Sequence, residues 1–388
     1  MLFGKEAAEW ASLGGMDTAA EIAQQPILWR ETCGIIAENR DRIARFVEEY
    51  VTPETRIVMT GAGTSDYVGD TVVEALRDLL PCRVEAIAST DIVSAPYECI
   101  EADVPTILIS YARSGNSPES MGAYDLFQQE VSVLQQLVIT CDAEGELAKK
   151  AEKMENAFVL LMPEASNDKG FAMTSSYSCM LLSTLLFFDL DNLEWNTIRM
   201  ERLAGTAEDF IARRYGEIDQ MIGYGKHRVI YLGSGFYAGF CQEMALKNLE
   251  LTSGKILTFN EGVMAFRHGP KSIINDDSLI VVFLSGNPYT RQYDMDMIDE
   301  IHGDAGDHKL VVVAFNGPED LKAHCDQVIA FRGEEVPGVY RVFNYMLVGQ
   351  MFGLFDSVAQ GVTPDNPRPD GTVNRVVKGV TLHPYSGR

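Results

Sequence analysis

One strand, turn and helix pattern occurs twice in this chain, and the repeat limits the possible folds more than any other feature. An apolar stretch begins at Arg56 and ends in a glycine turn at residues 61–63, and a similar stretch begins 172 residues later at Arg228. A second landmark, Ser-Gly-Asn, begins at Ser114 and again at Ser285, 171 residues apart. Two landmarks that each recur after nearly the same number of residues indicate a tandem duplication. The chain is therefore expected to fold as two similar halves.

The first half shows how each copy is built, because short apolar strands alternate with helical segments from residue 56 onward. This alternation predicts parallel βαβ units in an α/β fold. A helix is predicted over residues 66–80, ending before Pro81. The predicted strands begin at Arg56, Arg83, Thr106, Gln136 and Phe158.

The chain is predicted to divide into four parts. In the N-terminal part, Thr18 and Glu21 have the spacing of a capping box at a helix start. Charges there are mixed, so this part is predicted to pack as a helical arm rather than to bind DNA. The parts are the arm (residues 1–50), a first domain (51–200), a charged helical connector (201–225) and a second domain with its tail (226–388).

The composition excludes several classes of partner. Lys and Arg total 32 against 56 for Asp and Glu, and a net charge of -24 disfavours nucleic acid and anionic lipid. No leader pattern is present, and no apolar run approaches the about 20 residues that a bilayer crossing needs. The seven cysteines are odd in number, scattered and never at zinc spacing with histidine. We expect a cytoplasmic protein with reduced thiols and no bound metal.

Two polar loops follow predicted strands and precede predicted helices, which is the position of a phosphate site. The first contains Gly63, Thr64 and Ser65, and the second runs from Arg113 to Ser117. Backbone amides at helix starts and nearby hydroxyls bind phosphate, so the two loops together favour a phosphate ligand. Either loop alone is more typical of an ordinary turn than of a phosphate site. Asp66 occupies the third glycine position of the dinucleotide fingerprint, so no nucleotide cofactor is expected.

Four short motifs can be compared with known families: Gly63-Thr64-Ser65, Ser110-x-x-x-Ser114-Gly115-x-Ser117, Glu243-x-Ala245-Leu246-Lys247-x-x-Glu250 and His268-Gly269-Pro270. They resemble the sugar isomerase (SIS) domain series of glucosamine-6-phosphate synthase and of phosphosugar isomerases and deaminases. The segments around Arg113 and His268, together with the tail, are most similar to the family of D-galactosamine-6-phosphate deaminases and tagatose-6-phosphate ketose–aldose isomerases. The resemblance implies two tandem SIS domains, each a parallel five-stranded sheet flanked by helices in a flavodoxin-like, three-layer αβα arrangement.

The resemblance also implies roles for residues of the first domain. Arg113 stands where the synthase has Gln, so a contact between this side chain and phosphate is less directly implied. Thr174 stands where the synthase has a substrate-contacting Ser, although its segment is equally typical of a polar helix start. The phosphate-binding positions are matched by the turn at Gly63 and by the hydroxyls of Thr64, Ser65, Ser114 and Ser117.

Three further residues match catalytic positions of the SIS series. Glu250 matches the carboxylate that moves a proton between C2 and C1, although its spacing from Glu243 and Lys247 is also typical of an exposed charge ladder. His268 matches the residue that opens the sugar ring, a task suited to an imidazole that titrates near neutral pH. Lys378 matches a tail lysine near C1 and C2, with an ordinary exposed lysine as the alternative.

These roles imply isomerising deamination of D-galactosamine 6-phosphate to D-tagatose 6-phosphate and ammonia, in amino-sugar catabolism. Water would release the ammonia from a ketimine, so we expect a hydrolase as well as an isomerase. Alternatives are plain aldose–ketose isomerisation, a glucosamine-6-phosphate deaminase, and a SIS protein that only senses phosphosugars. A sensor would need neither Glu250 nor His268. In SIS relatives the His268 loop often reaches a neighbouring subunit, so a homodimer or higher homo-oligomer with shared active sites is expected.

Overall fold

Every strand in the described chain, residues 1–377 and 379–387 of the computed structural model, lies in one of two parallel five-stranded sheets. The first sheet contains β1 (Arg56–Thr60), β2 (Arg83–Ala86), β3 (Thr106–Ala112), β4 (Leu134–Thr140) and β5 (Ala157–Leu161). The second contains β6 (Arg228–Gly233), β7 (Leu257–Gly262), β8 (Ser278–Phe283), β9 (Lys309–Phe315) and β10 (Gln327–Phe331).

Helices precede, connect and follow the strands. Those of the first half are α1 (Ala7–Ser12), α2 (Met16–Glu38), α3 (Arg40–Tyr50), α4 (Thr64–Leu79), α5 (Ser89–Ser94), α6 (Pro96–Cys99), α7 (Pro118–Glu130), α8 (Glu146–Ala151) and α9 (Ser175–Phe187). Those of the second half are α10 (Leu193–Arg213), α11 (Gly216–Gly223), α12 (Phe236–Leu251), α13 (Val263–Phe266), α14 (Pro288–Gly303) and α15 (Val342–Ala359).

Both sheets have the same strand order, which confirms the predicted fold class. The first sheet runs β2-β1-β3-β4-β5, and the second, read from its other edge, runs β7-β6-β8-β9-β10. All described pairings are parallel, as strand and helix alternation requires. The parallel pairings of the second sheet repeat the pattern. The tandem duplication is therefore visible in the topology.

Helices cover both faces of the first sheet, so its strands are apolar on both sides. Met59 of β1 lies beside Gly69 of α4, where an added Cβ would be 3.1 Å from the Met59 Cβ. The adjacent Val58 points the other way and packs with Phe127 of α7. Because successive side chains of a strand point to opposite faces, α4 and α7 cover opposite faces. The result is the expected three-layer arrangement.

The second sheet is covered in the same manner. Ile230 and Val282 pack with Ile298 of α14 in one hydrophobic cluster. On the other face, the ring of Phe283 contacts Phe240 of α12 at 4.9 Å between centroids. Each face of this sheet therefore has its own core.

Contacts divide the chain into two compact units, each with one sheet. Residues 1–26, 169–174 and 198–369 form the unit of the second sheet, and residues 27–168, 175–197 and those from 370 onward form the unit of the first. The tail groups with the first sheet because Leu382 lies beside α7 at Gly122 and Gln129 donates to the Tyr385 carbonyl at 3.2 Å. The sequence-based boundaries at 50, 200 and 225 remain a prediction. Within the described residues, no helix is both long and apolar enough to cross a membrane.

The start of α2 differs from the sequence prediction. The helix begins at Met16, so Thr18 lies in its first turn rather than at its N-cap. The capping acceptor is Asp365, whose carboxylate accepts from the backbone amides of Asp17 at 3.1 Å and Thr18 at 2.8 Å. Glu21 instead accepts from the Gly170 amide at 3.2 Å. The predicted capping box is therefore wrong, because the helix begins before Thr18 and Asp365 satisfies the Thr18 amide that Glu21 would have capped.

Replacing Asp365 by alanine should destabilise the unit of the second sheet. The substitution removes the acceptor for two amides and for the Thr18 hydroxyl at 2.7 Å. We expect a loss of about 1–2 kcal/mol in the free energy of unfolding, measured as a lower melting temperature. Asp365→Asn keeps one acceptor oxygen and should retain most of the stability. Equal melting of both variants and the wild type would contradict the capping role.

Candidate phosphosugar site

The two predicted phosphate loops lie at the same edge of the first sheet. They follow β1 and β3, which are neighbours with Thr60 opposite Ser110. Because the strands are parallel, their carboxyl ends open at one edge, where α/β sheets bind ligands. We call the loops at residues 61–65 and 113–117 the paired turns. The structure thus brings six predicted site residues to one edge: Gly63, Thr64, Ser65, Arg113, Ser114 and Ser117.

The first of the paired turns depends on two glycines. A Cβ on Gly61 would lie 2.4 Å from the backbone carbonyl carbon of Ser65, so no larger residue fits. Gly63 has φ 57 and ψ -127, a conformation that residues with a side chain rarely adopt. α4 begins directly afterwards, with Thr64 and Ser65 buried in its first turn. The turn therefore places a helix N-terminus and two hydroxyls at the sheet edge.

The second of the paired turns is bonded to the first residues of α8. The Gly115 carbonyl accepts from the Leu147 amide at 3.0 Å, and the Asn116 side chain accepts from the Glu146 amide at 3.0 Å. Ser117 is the N-cap of α7, yet its side chain makes no capping bond and instead donates to Ser120 at 2.7 Å. The first-turn amides of α7 are thus not capped by the Ser117 side chain.

An acidic residue in the first turn of α4 would ordinarily oppose anion binding. Burial raises the pKa of Asp66 to about 7, with further contributions from the charges of Asp70 and Asp91. Near neutral pH a large fraction of this carboxyl therefore carries a proton. Its negative charge beside the paired turns is correspondingly reduced.

The second sheet has the same backbone turn, but its neighbouring amides have different hydrogen-bond partners. Gly235 has φ 62 and ψ -132, close to the values of Gly63. At the end of β8, however, Asn287 caps α14 by accepting from the amides of Tyr289 at 2.9 Å and Thr290 at 3.2 Å. A side chain therefore caps the start of α14, whereas the Ser117 side chain does not cap the equivalent amides at the start of α7.

A buried carboxylate fills the turns of the second copy. Asp294 of α14 is fully buried and accepts from the Ser285 amide at 2.9 Å and from the Ser234 hydroxyl at 2.5 Å. Burial raises the pKa of its carboxyl, although the hydrogen bonds from Ser234 and Ser285 act in the opposite direction. The donors that would meet an external anion here are already bound to Asp294.

Arg113 links the paired turns to the tail. Its side chain is only 7% exposed, and its Nη2 donates to the backbone carbonyl of Arg375 at 2.8 Å. The guanidinium of Arg375 in turn donates through Nε to the Asp168 carbonyl at 3.0 Å. Sequence reasoning did not identify Arg375 or Asp168, and the position of Arg375 three residues before Lys378 was the one available signal.

Glu250 belongs to a buried charge cluster in the unit of the second sheet. Lys247 is fully buried and forms ion pairs with Glu250 and, at 3.4 Å, with Glu243. Burial opposes the charge of Lys247, but the two carboxylates outweigh this effect and raise its pKa. The Glu250 side chain remains 19% exposed. The exposed-ladder interpretation is therefore wrong, because two of the three groups are inaccessible to solvent.

Glu250 and His268 belong to segments that pack on opposite faces of the second sheet. Glu250 is near the end of α12, whose Phe240 packs on one face. His268 is exposed and follows Phe266 of α13, which packs with Ile298 of α14 on the other face. Among the described residues of one chain, no contact joins the Glu250 carboxylate to the His268 imidazole.

The two remaining predicted site residues are less informative. Thr174 is fully buried and directly precedes α9, whose first residues Ser175 and Ser176 donate their amides to the Asp168 carboxylate at 3.1 and 2.9 Å. A polar helix start is therefore present here, and contact of Thr174 with substrate remains a prediction. Lys378 lies outside the described residues.

The fold and the paired turns define the chain as a SIS-domain protein of the phosphosugar class, and the SIS domain model matches residues 50–190. A solved structure from Clostridium novyi NT is 43% identical and superposes with a TM-score of 0.97 over 99% of both chains. Escherichia coli tagatose-6-phosphate ketose/aldose isomerase is 35% identical, with a TM-score of 0.90 over 99% of both chains.

The Escherichia coli D-galactosamine-6-phosphate deaminase AgaS is 38% identical over 97% of this chain and 97% of its own length. The chain belongs to this deaminase and isomerase family, which confirms the predicted resemblance. The expected class of hydrolase is wrong, because the relatives are named as deaminases and isomerases.

The filled turns of the second copy generate a stability prediction. Asp294→Ala leaves the Ser285 amide and the Ser234 hydroxyl buried without their acceptor, at a cost of about 1–3 kcal/mol. Because a small anion can bind the same donors, sulfate should raise the melting temperature of Asp294→Ala more than that of the wild type at equal ionic strength. Asp294→Asn, which keeps one oxygen, should show a smaller difference. Equal sulfate effects in all three proteins would refute this account of the second copy.

Proposed function

We propose that this protein is an enzyme that converts D-galactosamine 6-phosphate to D-tagatose 6-phosphate and ammonia. The observation that carries the proposal is the difference between the two copies. The turns of the second copy are filled by Asp294 and capped by Asn287, whereas Ser117 leaves the start of α7 uncapped by its side chain. Similarity along nearly the whole chain to a D-galactosamine-6-phosphate deaminase supports the choice of reaction.

The paired turns bind the 6-phosphate in this proposal. The N-termini of α4 and α7 open at the same sheet edge, and each favours negative charge. Backbone amides and hydroxyls supply donors that need no cation, which suits a chain with a net charge of -24. The proposed phosphate ligands are the turn at Gly63 and the side chains of Thr64, Ser65, Arg113, Ser114 and Ser117, with Thr174 contacting the sugar.

Glu250 moves the proton that defines the reaction. It removes the C2 proton of the open-chain sugar and returns it at C1. In the same tautomerisation the C1 carbonyl oxygen gains a proton and the C2 amine loses one, so a ketimine forms at C2. Water then adds at C2 and ammonia leaves, which produces the ketose phosphate. Lys247 keeps Glu250 in place through an ion pair. Lys378 is proposed to stabilise the negative charge that develops on the carbonyl end of the sugar.

His268 opens the ring by moving a proton between O1 and O5, a step that must precede proton transfer at C2. In the part of the chain that the structure describes, no hydrogen bond to its imidazole fixes the ring. Gly269 follows with φ 124, so a side chain at that position would be strained. This exposed, sharply turned loop is suited to reach a ligand outside its own unit.

We further propose a homodimer in which subunits share active sites. The packing of the His268 and Glu250 segments on opposite faces of one sheet supports this arrangement, because one site needs both groups. β7 is an edge strand of the second sheet, and Leu257 at its start and Met264 just after it are half exposed. Exposed apolar side chains beside a sheet edge are typical of a subunit contact. A cytoplasmic location remains a prediction from the sequence.

An ammonia-release assay tests the reaction. D-galactosamine 6-phosphate should release ammonia and form the ketose, faster than D-glucosamine 6-phosphate does. Glu250→Gln should reduce the rate by at least about 100-fold, because the amide cannot accept the C2 proton. Glu155→Gln, which changes an exposed carboxylate, should leave the rate unchanged. If the protein formed a ketose only from an aldose phosphate that lacks the C2 amine, and released no ammonia from the amino sugar, it would be an isomerase. That is the activity named for the solved Escherichia coli relative.

Mixed subunits test the shared site. Glu250→Gln and His268→Asn chains, co-expressed with different tags and purified as the heterodimer, should recover about half of the wild-type activity, because a two-fold dimer then contains one intact site of two. Each variant alone should be nearly inactive. A heterodimer as inactive as its parents would show that each chain forms its own site.

A further inference from the structure

Arg375 makes contacts in two directions, although none of the four SIS motifs includes it. Its backbone carbonyl accepts from Arg113 Nη2 at 2.8 Å. Its guanidinium donates to the carbonyl of Asp168 and, at 3.2 Å, to the side chain of Asn167. All of these residues belong to the unit of the first sheet. Arg375 therefore connects a side chain of the paired turns to a separate part of the same unit.

The far end of this connection is fixed. Asp168 is fully buried, and its carboxylate accepts from the amides of Ser175 and Ser176 and from the Ser176 hydroxyl at 2.6 Å. These bonds cap α9, a helix in which every residue is buried. A guanidinium bound to the Asp168 carbonyl is thereby held against the core of the unit.

The described residues after 370 are mostly exposed, and the hydrogen bond from Gln129 to the Tyr385 carbonyl lies at the surface. A segment with so little buried surface is held weakly along most of its length. The bond from the Arg375 guanidinium to the Asp168 carbonyl therefore helps to fix the Arg375 carbonyl to which Arg113 donates.

We propose that Arg375 is a positioning residue for phosphate binding, which holds the Arg113 guanidinium at the paired turns through its own backbone carbonyl. A guanidinium donates in several directions, so Arg113 can bind the Arg375 carbonyl and an anion at the same time. A pre-oriented guanidinium loses less freedom when an anion binds than a mobile one does. The inference rests on the proposed phosphate site at the paired turns.

Binding of inorganic phosphate, measured by calorimetry and as competitive inhibition, tests the proposal. Arg375→Ala should weaken phosphate binding and raise KM about tenfold, with a smaller change in kcat, because the reacting end of the sugar is untouched. Arg375→Lys, which keeps the charge without the planar fork, should give an intermediate loss. Gln129→Ala, which removes a tail contact remote from Arg113, should bind phosphate as the wild type does.

A double-mutant cycle separates positioning from general damage to the fold. In an Arg113→Gln background, Arg375→Ala should cause no further loss of phosphate affinity, since the group that it positions is already absent. Independent, additive losses would overturn the proposal, as would wild-type affinity in Arg375→Ala.

Ser117→Ala distinguishes this inference from the proposed function. If it weakens phosphate binding while Arg375→Ala does not, only the role of Arg375 fails. If the wild type binds no phosphate, or if Ser117→Ala and Arg113→Gln both leave binding unchanged, the phosphate site at the paired turns fails as well.

Discussion

The parallel pairing of β1 with β3 is the contact on which the candidate site depends. It places the ends of two strands side by side, so the turns that follow them open at one edge and the helices that follow the turns begin there. Gly61 and Gly63 are required because α4 starts within a few residues of the strand. Without this pairing, each turn would be an isolated helix start, and neither would surround a ligand.

The two copies show that a shared backbone does not imply a shared function. Gly63 and Gly235 adopt nearly the same conformation, so the turn itself is retained in both halves. The side chains decide the outcome, because Asp294 supplies an internal anion to the second turn. That copy is stabilised from within, and its surface residues, including His268 and the edge strand β7, are available for a different role.

The sequence predicted local features well and long-range ones poorly. Strand starts at Arg56, Arg83 and Thr106 agree with the structure because apolar runs and glycine turns are local signals. The cap of α2 was missed because Asp365 comes from a point 347 residues further along the chain. The bond between Arg113 and Arg375, 262 residues apart, was missed for the same reason. Spacing cannot show which distant segment will pack against a motif.

The cluster around Glu250 shows why spacing leaves the role of a motif open. Glu243, Lys247 and Glu250 have the spacing of an exposed ladder, but Gly353 lets α15 pack so closely that a Cβ there would lie 3.2 Å from the Lys247 carbonyl. This packing makes α12 a buried helix at that point, and a buried ammonium requires carboxylate partners. Of the three groups, only Glu250 still reaches solvent, so it is the one that a ligand could contact.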